Sequence, residues 1–281
     1  MKINVGIVGL GFVGEATLKG LEPFHNIHSY DISKESSCNS IKSLVNRAQM
    51  IFVCVPTPMK KSGKFDLSIV RNVINDINFH ASERKIIILK STCLPGTSSS
   101  LQNDFDNCDI VFNPEFLTEK NYINDFKNQE FIVLGGNSDT CNSVKEMYME
   151  GFPDIKYFLT NTTTAETVKY TINNFLALKV SFANEIYELC SKMGIDYKTM
   201  ISIASADNRL GQSHWSVPGH DGKFGYGGSC FPKDVSALYN FMNSIELNSF
   251  IVKAALERNI QVDRKERDWE ALKGRAISDE S

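Results

Sequence analysis

Long apolar runs are missing from this chain of 281 residues. Stretches such as 86–89 are only strand length, far below the roughly 20 apolar residues of a membrane helix, so no membrane span is expected. No basic segment with an apolar stretch behind it precedes the first strand pattern, so no secretory leader is expected and the compartment reads as cytoplasmic. Neither charge dominates: 30 Lys and Arg stand against 33 Asp and Glu, and the net charge of −3 offers no basic footprint for nucleic acid. The 7 cysteines are odd in number and scattered without a CxxC pair, which argues against a disulfide framework and a zinc site, so no metal is expected. Internal repeats and low-complexity segments are lacking too. What is there, 42% hydrophobic with 22% charged residues, has ample material for the core of one or two ordinary soluble domains.

Residues 2–8 alternate, are β-branched, and run into Gly9-Leu10-Gly11-Phe12-Val13-Gly14 and a helical stretch over 15–21. In such a strand–turn–helix the first glycine makes the tight turn and the second admits a pyrophosphate to the backbone. The third lets helix pack on strand, leaving the phosphate at the positive helix end. The motif alone is weak. Its context strengthens it, because a second strand over 27–30 ends in Asp31, where an acid can hold a ribose 2′-hydroxyl and repel a 2′-phosphate. That favours NAD over NADP. Gly9, Gly11, Phe12, Val13, Gly14, Asp31 and the nearby Lys34 are the candidate cofactor residues.

Strand patterns recur at 50–55, 85–89, 109–112 and 131–134, the rhythm of a Rossmann-type, doubly wound parallel sheet over residues 1–160. Ligands of such sheets collect at the carboxyl ends of the strands. There stand Val55-Pro56-Thr57-Pro58, Ser91-Thr92-Cys93-Leu94-Pro95-Gly96-Thr97 and Asn113-Pro114-Glu115-Phe116-Leu117-Thr118-Glu119. A proline at one strand end is commonly punctuation. Three such ends on one edge point to chemistry.

Past residue 160 the pattern turns helical, and residues 161–281 read as an all-helical central domain. A long helix is expected over 162–193, stopping at Gly194, with apolar positions at spacings of three and four. A helix this long spans a domain border or builds a dimer, so a homodimer is expected through it. Lys169 and Asn173 share one face of it. A shorter helix follows over 196–204, then an aperiodic loop over 207–229 and helices over 232–242 and 249–267. Residues 268–281 are expected to be a fraying tail.

A loop of this length is usually functional or disordered, and Trp215, Phe224, Tyr226 and two histidines argue against disorder. It closes with Asp221-Gly222-Lys223-Phe224-Gly225-Tyr226-Gly227-Gly228-Ser229-Cys230-Phe231-Pro232-Lys233-Asp234. Gly225, Gly227 and Gly228 are read as letting the backbone lie against a bound molecule, with no Cβ to hold it away. Pro232 suits the first helical position, which would set Cys230 just before a helix N-terminus with Lys233 close by. That setting lowers a thiol pKa and makes a nucleophile. Taken alone, the cysteine is as readily a small buried hydrophobe.

With these pieces in order, the chain resembles the UDP-glucose/GDP-mannose dehydrogenase family over residues 1–267. The resemblance rests on the glycine turn, Val55 to Pro58, Ser91-Thr92, Asn113 to Leu117, Lys169 with Asn173, and Val217-Pro218-Gly219 through Asp234. It implies a four-electron oxidation of a sugar C6 hydroxyl to a carboxylate, with two NAD molecules used in succession. The cysteine matching Cys230 would form a thiohemiacetal and then a thioester. Lys169 and Asn173 would stabilise the oxyanion, while Asp234 and a water held by Thr92 would handle protons. Glu119 and Glu115 match acids of the family's active site, and Thr57, Thr92, Glu119 and Lys233 match cofactor-side positions. Glu115, Phe116, Leu117, Gly219, Lys223, Phe224, Gly225 and Gly227 match substrate-side positions. Arg209 matches an arginine that reaches the sugar nucleotide across the dimer contact.

The resemblance is nearest to the UDP-glucose branch, with GDP-mannose and UDP-N-acetyl-mannosamine as alternative substrates. Two other classes stay open: a shortened nucleotide-binding partner of a full-length dehydrogenase, and a two-electron hydroxyacid dehydrogenase, which would leave Cys230 unexplained. Family members generally continue into a second α/β domain that closes over the substrate nucleotide, and these 281 residues end before it. Three readings stay open: a dimer neighbour supplies that grip, a separate chain does, or the sequence is a naturally shortened or inactive form. The stretch between Asp31 and Met50 is also shorter than the family's usual one.

Overall fold

The computed structural model describes residues 2–60 and 62–278. The chain divides into two compact units, Met1–Thr57 with Asp66–Lys169, and Pro58–Phe65 with Tyr170–Ser281.

The first unit is built on a seven-stranded sheet in the order β2-β1-β3-β4-β5-β6-β7. Its strands are β1 (Asn4–Val8), β2 (Asn26–Tyr30), β3 (Met50–Val53), β4 (Lys85–Leu89), β5 (Cys108–Phe112), β6 (Phe131–Gly135) and β7 (Lys156–Thr160). Between them run α1 (Phe12–Leu21), α2 (Ile41–Val45), α3 (Ser68–His80), α4 (Thr97–Asp104), α5 (Tyr122–Lys127) and α6 (Ser138–Met149). Because side chains alternate along a strand, β4 sends Ile87 and Leu89 into one core and Ile88 into the other. Helices cover both faces, so the inner strands read as nearly continuous apolar runs.

The sheet is not parallel throughout. β5 and β6 meet antiparallel, with Phe112 opposite Gly135, whereas β6 and β7 pair in parallel. A parallel neighbour needs a crossover that carries the chain back to the opposite edge of the sheet. After β5 the chain forms an irregular stretch and the short α5, which packs on α1, and β6 departs from the edge where β5 arrived. The edge strand β7 was not visible in the sequence pattern, its Phe158 and Leu159 both being exposed.

The second unit is helical. α7 (Thr162–Met193) begins in the first unit and continues into this one. It is followed by α8 (Tyr197–Ala204), α9 (Phe231–Ser244) and α10 (Phe250–Arg258). The loop between α8 and α9 carries a single 3-10 turn, Asn208–Leu210. Tyr226, Val235 and Ala177 form one small core; Tyr197, Cys190, Ala183 and Val217 form another.

Two expectations for the C-terminal part are corrected. The helix expected to reach residue 267 ends in a π-type turn, Asn259–Asp263, because Arg264 N–H donates to Asn259 O instead of continuing the α pattern. Nor does the tail fray. Trp269 is 5% exposed in the 3-10 turn Asp268–Ala271, and Ala276 is fully buried. Met59 N–H donates to Ala276 O and Ser278 N–H to Met59 O, both at 2.8 Å. These contacts pin residues 268–278; 279–281 lie outside the described residues.

Candidate active-site residues

The glycine turn has the geometry its spacing predicted. Gly9 sits at φ +89, and a Cβ on Gly14 would lie 1.8 Å from Gly9 O, so α1 can lie this close to the turn only without one. Gly11, the N-cap of α1, has no side-chain cap, and a Cβ there would meet nothing within 4 Å. Phe12 and Val13 open the helix. Asp31, at the end of β2, accepts from Leu10 N–H at 2.6 Å, Ser33 N–H at 2.8 Å and Lys34 N–H at 3.0 Å. Partial burial pushes the Asp31 carboxyl up, but these backbone donors more than reverse that and hold it below its ordinary pKa. Lys34 donates to Leu10 O at 2.6 Å, so both residues fasten the turn. An open, uncapped helix start beside an ionised acid fits a dinucleotide pyrophosphate and ribose.

The strand ends β4 and β5 hold a buried polar group. Lys169, on α7, donates to Glu115 Oε1 at 2.9 Å and Glu115 O at 2.5 Å, and lies 5.5 Å from the centre of the Phe116 ring. Leu117 N–H donates to Glu115 Oε2 at 2.7 Å. Burial pushes the Glu115 carboxyl up; the Lys169 charge and hydrogen bond, with the Leu117 donor, outweigh it and leave Glu115 below the ordinary range. Thr57 is buried, Thr92 is half-buried and Glu119 is exposed on the same unit.

Residues beyond the sequence reading join this group. Lys90, just before Ser91-Thr92, is buried and donates to Asn113 Oδ1 at 3.0 Å, which also accepts from Tyr148 Oη at 2.7 Å. Burial lowers the Lys90 pKa to about 8 and raises that of neighbouring Cys54 to about 12. A lysine closing an apolar strand was the available signal. Glu166 is fully buried and accepts from Gly96 N–H and Ser98 N–H, both at 2.7 Å, so it caps α4.

In the helical unit, Cys230 is the N-cap of α9, half-buried, with Pro232 at the helix start. All 7 cysteines are thiols, and the other six are buried. One turn behind Cys230, Asp234 accepts from Asn173 Nδ2 at 2.6 Å and from Lys233 Nζ at 2.5 Å. Lys233 also lies 5.1 Å from the centre of the Phe65 ring. Thus Asn173, Lys233 and Asp234 form one buried cluster. Gly219 donates to Lys223 O at 2.7 Å and closes a tight turn, while Lys223 pairs with Asp268 at 2.8 Å. Phe224 packs against Tyr187. The Arg209 side chain is 88% exposed and bonds to Asp207 in its own turn, apart from that cluster.

The reading of the loop glycines is corrected in part. Gly225 and Gly228 do adopt positive φ, +66 and +72. A Cβ on Gly225, however, would lie 2.3 Å from Asn259 Oδ1, and one on Gly227 would lie 2.4 Å from Arg264 Cζ. At these two positions the space left by the missing side chain is filled by the protein's own residues, not kept for a ligand.

The glycine turn, the acid at the end of β2 and the helix-covered sheet define a dinucleotide-binding chain. Residues 26–151 match the NAD binding domain of the UDP-glucose/GDP-mannose dehydrogenase family, and residues 163–261 match the central domain of that family. The chain belongs to this family, and NAD is its cofactor. It is 34% identical over 254 residues to the UDP-glucose 6-dehydrogenase TuaD of Bacillus subtilis, a match covering 85% of this chain and 53% of that protein. Among solved structures, a UDP-glucose dehydrogenase from Pyrobaculum islandicum superposes with a TM-score of 0.84 at 27% identity, over 92% of this chain and 68% of the other. A GDP-mannose dehydrogenase from Pseudomonas aeruginosa gives 0.68 at 26%, over 95% and 69%. The chain spans about half the length of the curated relatives it matches.

Proposed function

We propose that this chain catalyses the NAD-dependent, four-electron oxidation of a nucleotide sugar at C6, with UDP-glucose as substrate and UDP-glucuronate as product. The observation that carries the reading is Cys230 at the start of α9 with Asp234 one turn behind it, held by Asn173 and Lys233. A hydride transfer between an alcohol and an aldehyde needs no cysteine; an oxidation that continues to the acid has a use for one. In this reading residues 1–160 serve the cofactor, and residues 161–281 carry the nucleophile and the substrate loop.

Gly9, Gly11, Phe12, Val13, Gly14, Asp31 and Lys34 hold the cofactor, with Thr57, Thr92, Glu119 and Lys233 as further cofactor-side residues. Bound there, NAD would supply the hydride acceptor for both oxidations. The balance is RCH2OH + 2 NAD+ + H2O giving RCOO− + 2 NADH + 3 H+. After the first oxidation the Cys230 thiolate adds to the aldehyde carbon and forms a C–S bond. The second oxidation converts that thiohemiacetal to a thioester, and water releases the carboxylate and restores the thiol. The peptide dipoles at the start of α9 favour an anion at Cys230. Lys169 and Asn173 donate to the oxyanion, and Asp234 and a water on Thr92 move the protons. Glu115, Phe116, Leu117, Arg209, Gly219, Lys223 and Phe224 are the proposed substrate-side residues.

Phe175, Phe182 and Leu189 are 63%, 52% and 50% exposed on α7 at seven-residue spacing, a seam that supports a homodimer through this helix. The deciding experiment is NADH formed per sugar consumed, with UDP-glucose, GDP-mannose and UDP-N-acetyl-mannosamine offered separately to the purified chain. Two NADH per UDP-glucose is the expected result. Two NADH from another of the sugars would keep the reaction and replace the substrate. None from any of them, with NAD still bound, would favour a nucleotide-binding partner of a longer dehydrogenase.

A further inference from the structure

The turn after α10 grips the glycine loop from within the helical unit. Asn259 is 1% exposed and clasps one residue of the loop in both directions. Its Oδ1 accepts from Tyr226 N–H at 2.8 Å, and its Nδ2 donates to Tyr226 O at 2.9 Å. Arg264, 2% exposed, donates to Asp221 at the head of the loop, to Asp268 Oδ1 and Oδ2 at 2.9 Å each, and to Phe224 O at 3.5 Å. Lys223 closes the chain of charges on Asp268. Asp221, Arg264, Asp268 and Lys223 therefore alternate in sign, and a planar guanidinium with several donors is the group that can serve three of the loop's anchors at once.

Gly225 and Gly227 are the other half of the device, since only glycine at those positions leaves room for Asn259 Oδ1 and the Arg264 guanidinium. Burying an arginine and an amide is costly unless every donor is placed, and here the partners are the backbone and acids around a single short loop. The direction of Cys230 at the start of α9 follows from how that loop arrives.

We infer that Asn259 and Arg264 are positioning residues for the nucleophile: they fix residues 221–228 in the one conformation that presents Cys230 for attack. The inference rests on the reading of Cys230 as the nucleophile. Neither side chain touches reacting atoms. Their effect passes through the loop backbone, as a misplacement of the attacking sulfur.

The test uses the 281-residue chain with Arg264→Met, Arg264→Lys and Gly227→Ala, each checked for folding by near-UV circular dichroism. Three readouts are taken: kcat and KM, the rate of Cys230 alkylation by iodoacetamide followed by peptide mass, and chymotryptic cleavage after Phe224 and Tyr226. The other six cysteines are buried, so alkylation reports on Cys230. In Arg264→Met and Gly227→Ala, kcat is expected to fall about a hundredfold while NAD affinity stays unchanged. Cleavage in the loop should quicken about tenfold as the loop opens locally, and alkylation of Cys230 should change in step. Arg264→Lys should recover part of kcat, because an ammonium keeps the charge and loses the fork. Folded variants whose cleavage, alkylation and kcat all stay within about twofold of the parent would overturn the inference. Should Arg264→Met fail to fold, Gly227→Ala and Arg264→Lys decide. If the parent oxidises none of the sugars, the proposed reaction falls, and cleavage with alkylation still decide whether these residues hold the loop.

Discussion

Lys169 binds Glu115 twice, through the carboxylate at 2.9 Å and through the backbone carbonyl at 2.5 Å, with both side chains buried. A buried pair of this kind is costly to break from one side, because Glu115 would keep its burial and lose its hydrogen-bonded cation, leaving the Lys90 charge to offset it. Lys169→Ala is expected to lower turnover more than it weakens NAD binding, and to cost about 3–5 kcal/mol of stability. Steady-state kinetics, an NAD titration and a urea melt check it. A loss confined to NAD affinity would remove Lys169 from the oxyanion role.

Cys230→Ser is expected to abolish formation of the uronate, lowering it by at least about a thousandfold, while NAD affinity is retained. Product analysis alongside an NAD titration provides the check. Normal turnover in this variant would rule out the thioester route.

Gly14→Ala would place a methyl group 1.8 Å from Gly9 O. The turn must open to admit it. The expected cost is about 1–3 kcal/mol of stability, together with at least a roughly tenfold weaker NAD dissociation constant. Thermal melting and fluorescence titration measure the two effects.

Asp268 should make the helical unit acid-sensitive. Its hydrogen bond to Arg264 holds its pKa at about 2, against an ordinary 3.8. A carboxyl whose folded pKa is depressed stabilises the fold above the unfolded value, and the contribution disappears as pH falls from 3.8 towards about 2. A series of melts between those values should show the loss, and Asp268→Asn should flatten it. Equal slopes for the two proteins would contradict the assignment.

The cofactor turn was legible because its physics is local. Gly9 and Gly14 answer constraints set within one strand–turn–helix, and Asp31 closes the next strand onto that turn, so spacing alone reports them. The start of α9 was legible for the same reason, since Pro232 suits the first turn of a helix. The reversed pairing of β6 was not, because a strand pattern has no direction and only the path between strands supplies one. Lys90 and Glu166 look like ordinary charges until the fold buries them. Asn259 and Arg264 lay inside an apparent helix, and nothing in their neighbourhood signals that the residues they serve are at 221–227. The glycines of the loop were seen as sites of close approach, which they are; what approaches at Gly225 and Gly227 could come only from the tertiary structure.

Pro58–Phe65 belongs to the helical unit although its flanking residues on both sides belong to the other. Met59 finds its backbone partners at Ala276 and Ser278. During synthesis this short segment leaves the ribosome about two hundred residues ahead of Ala276 and Ser278 and must wait for them. Domains that emerge in order usually fold in order. Here the helical unit cannot be completed by its own contiguous stretch, so a fragment beginning at residue 170 would lack a piece of its own core, and supplying residues 58–65 as a separate peptide should restore what that fragment is missing.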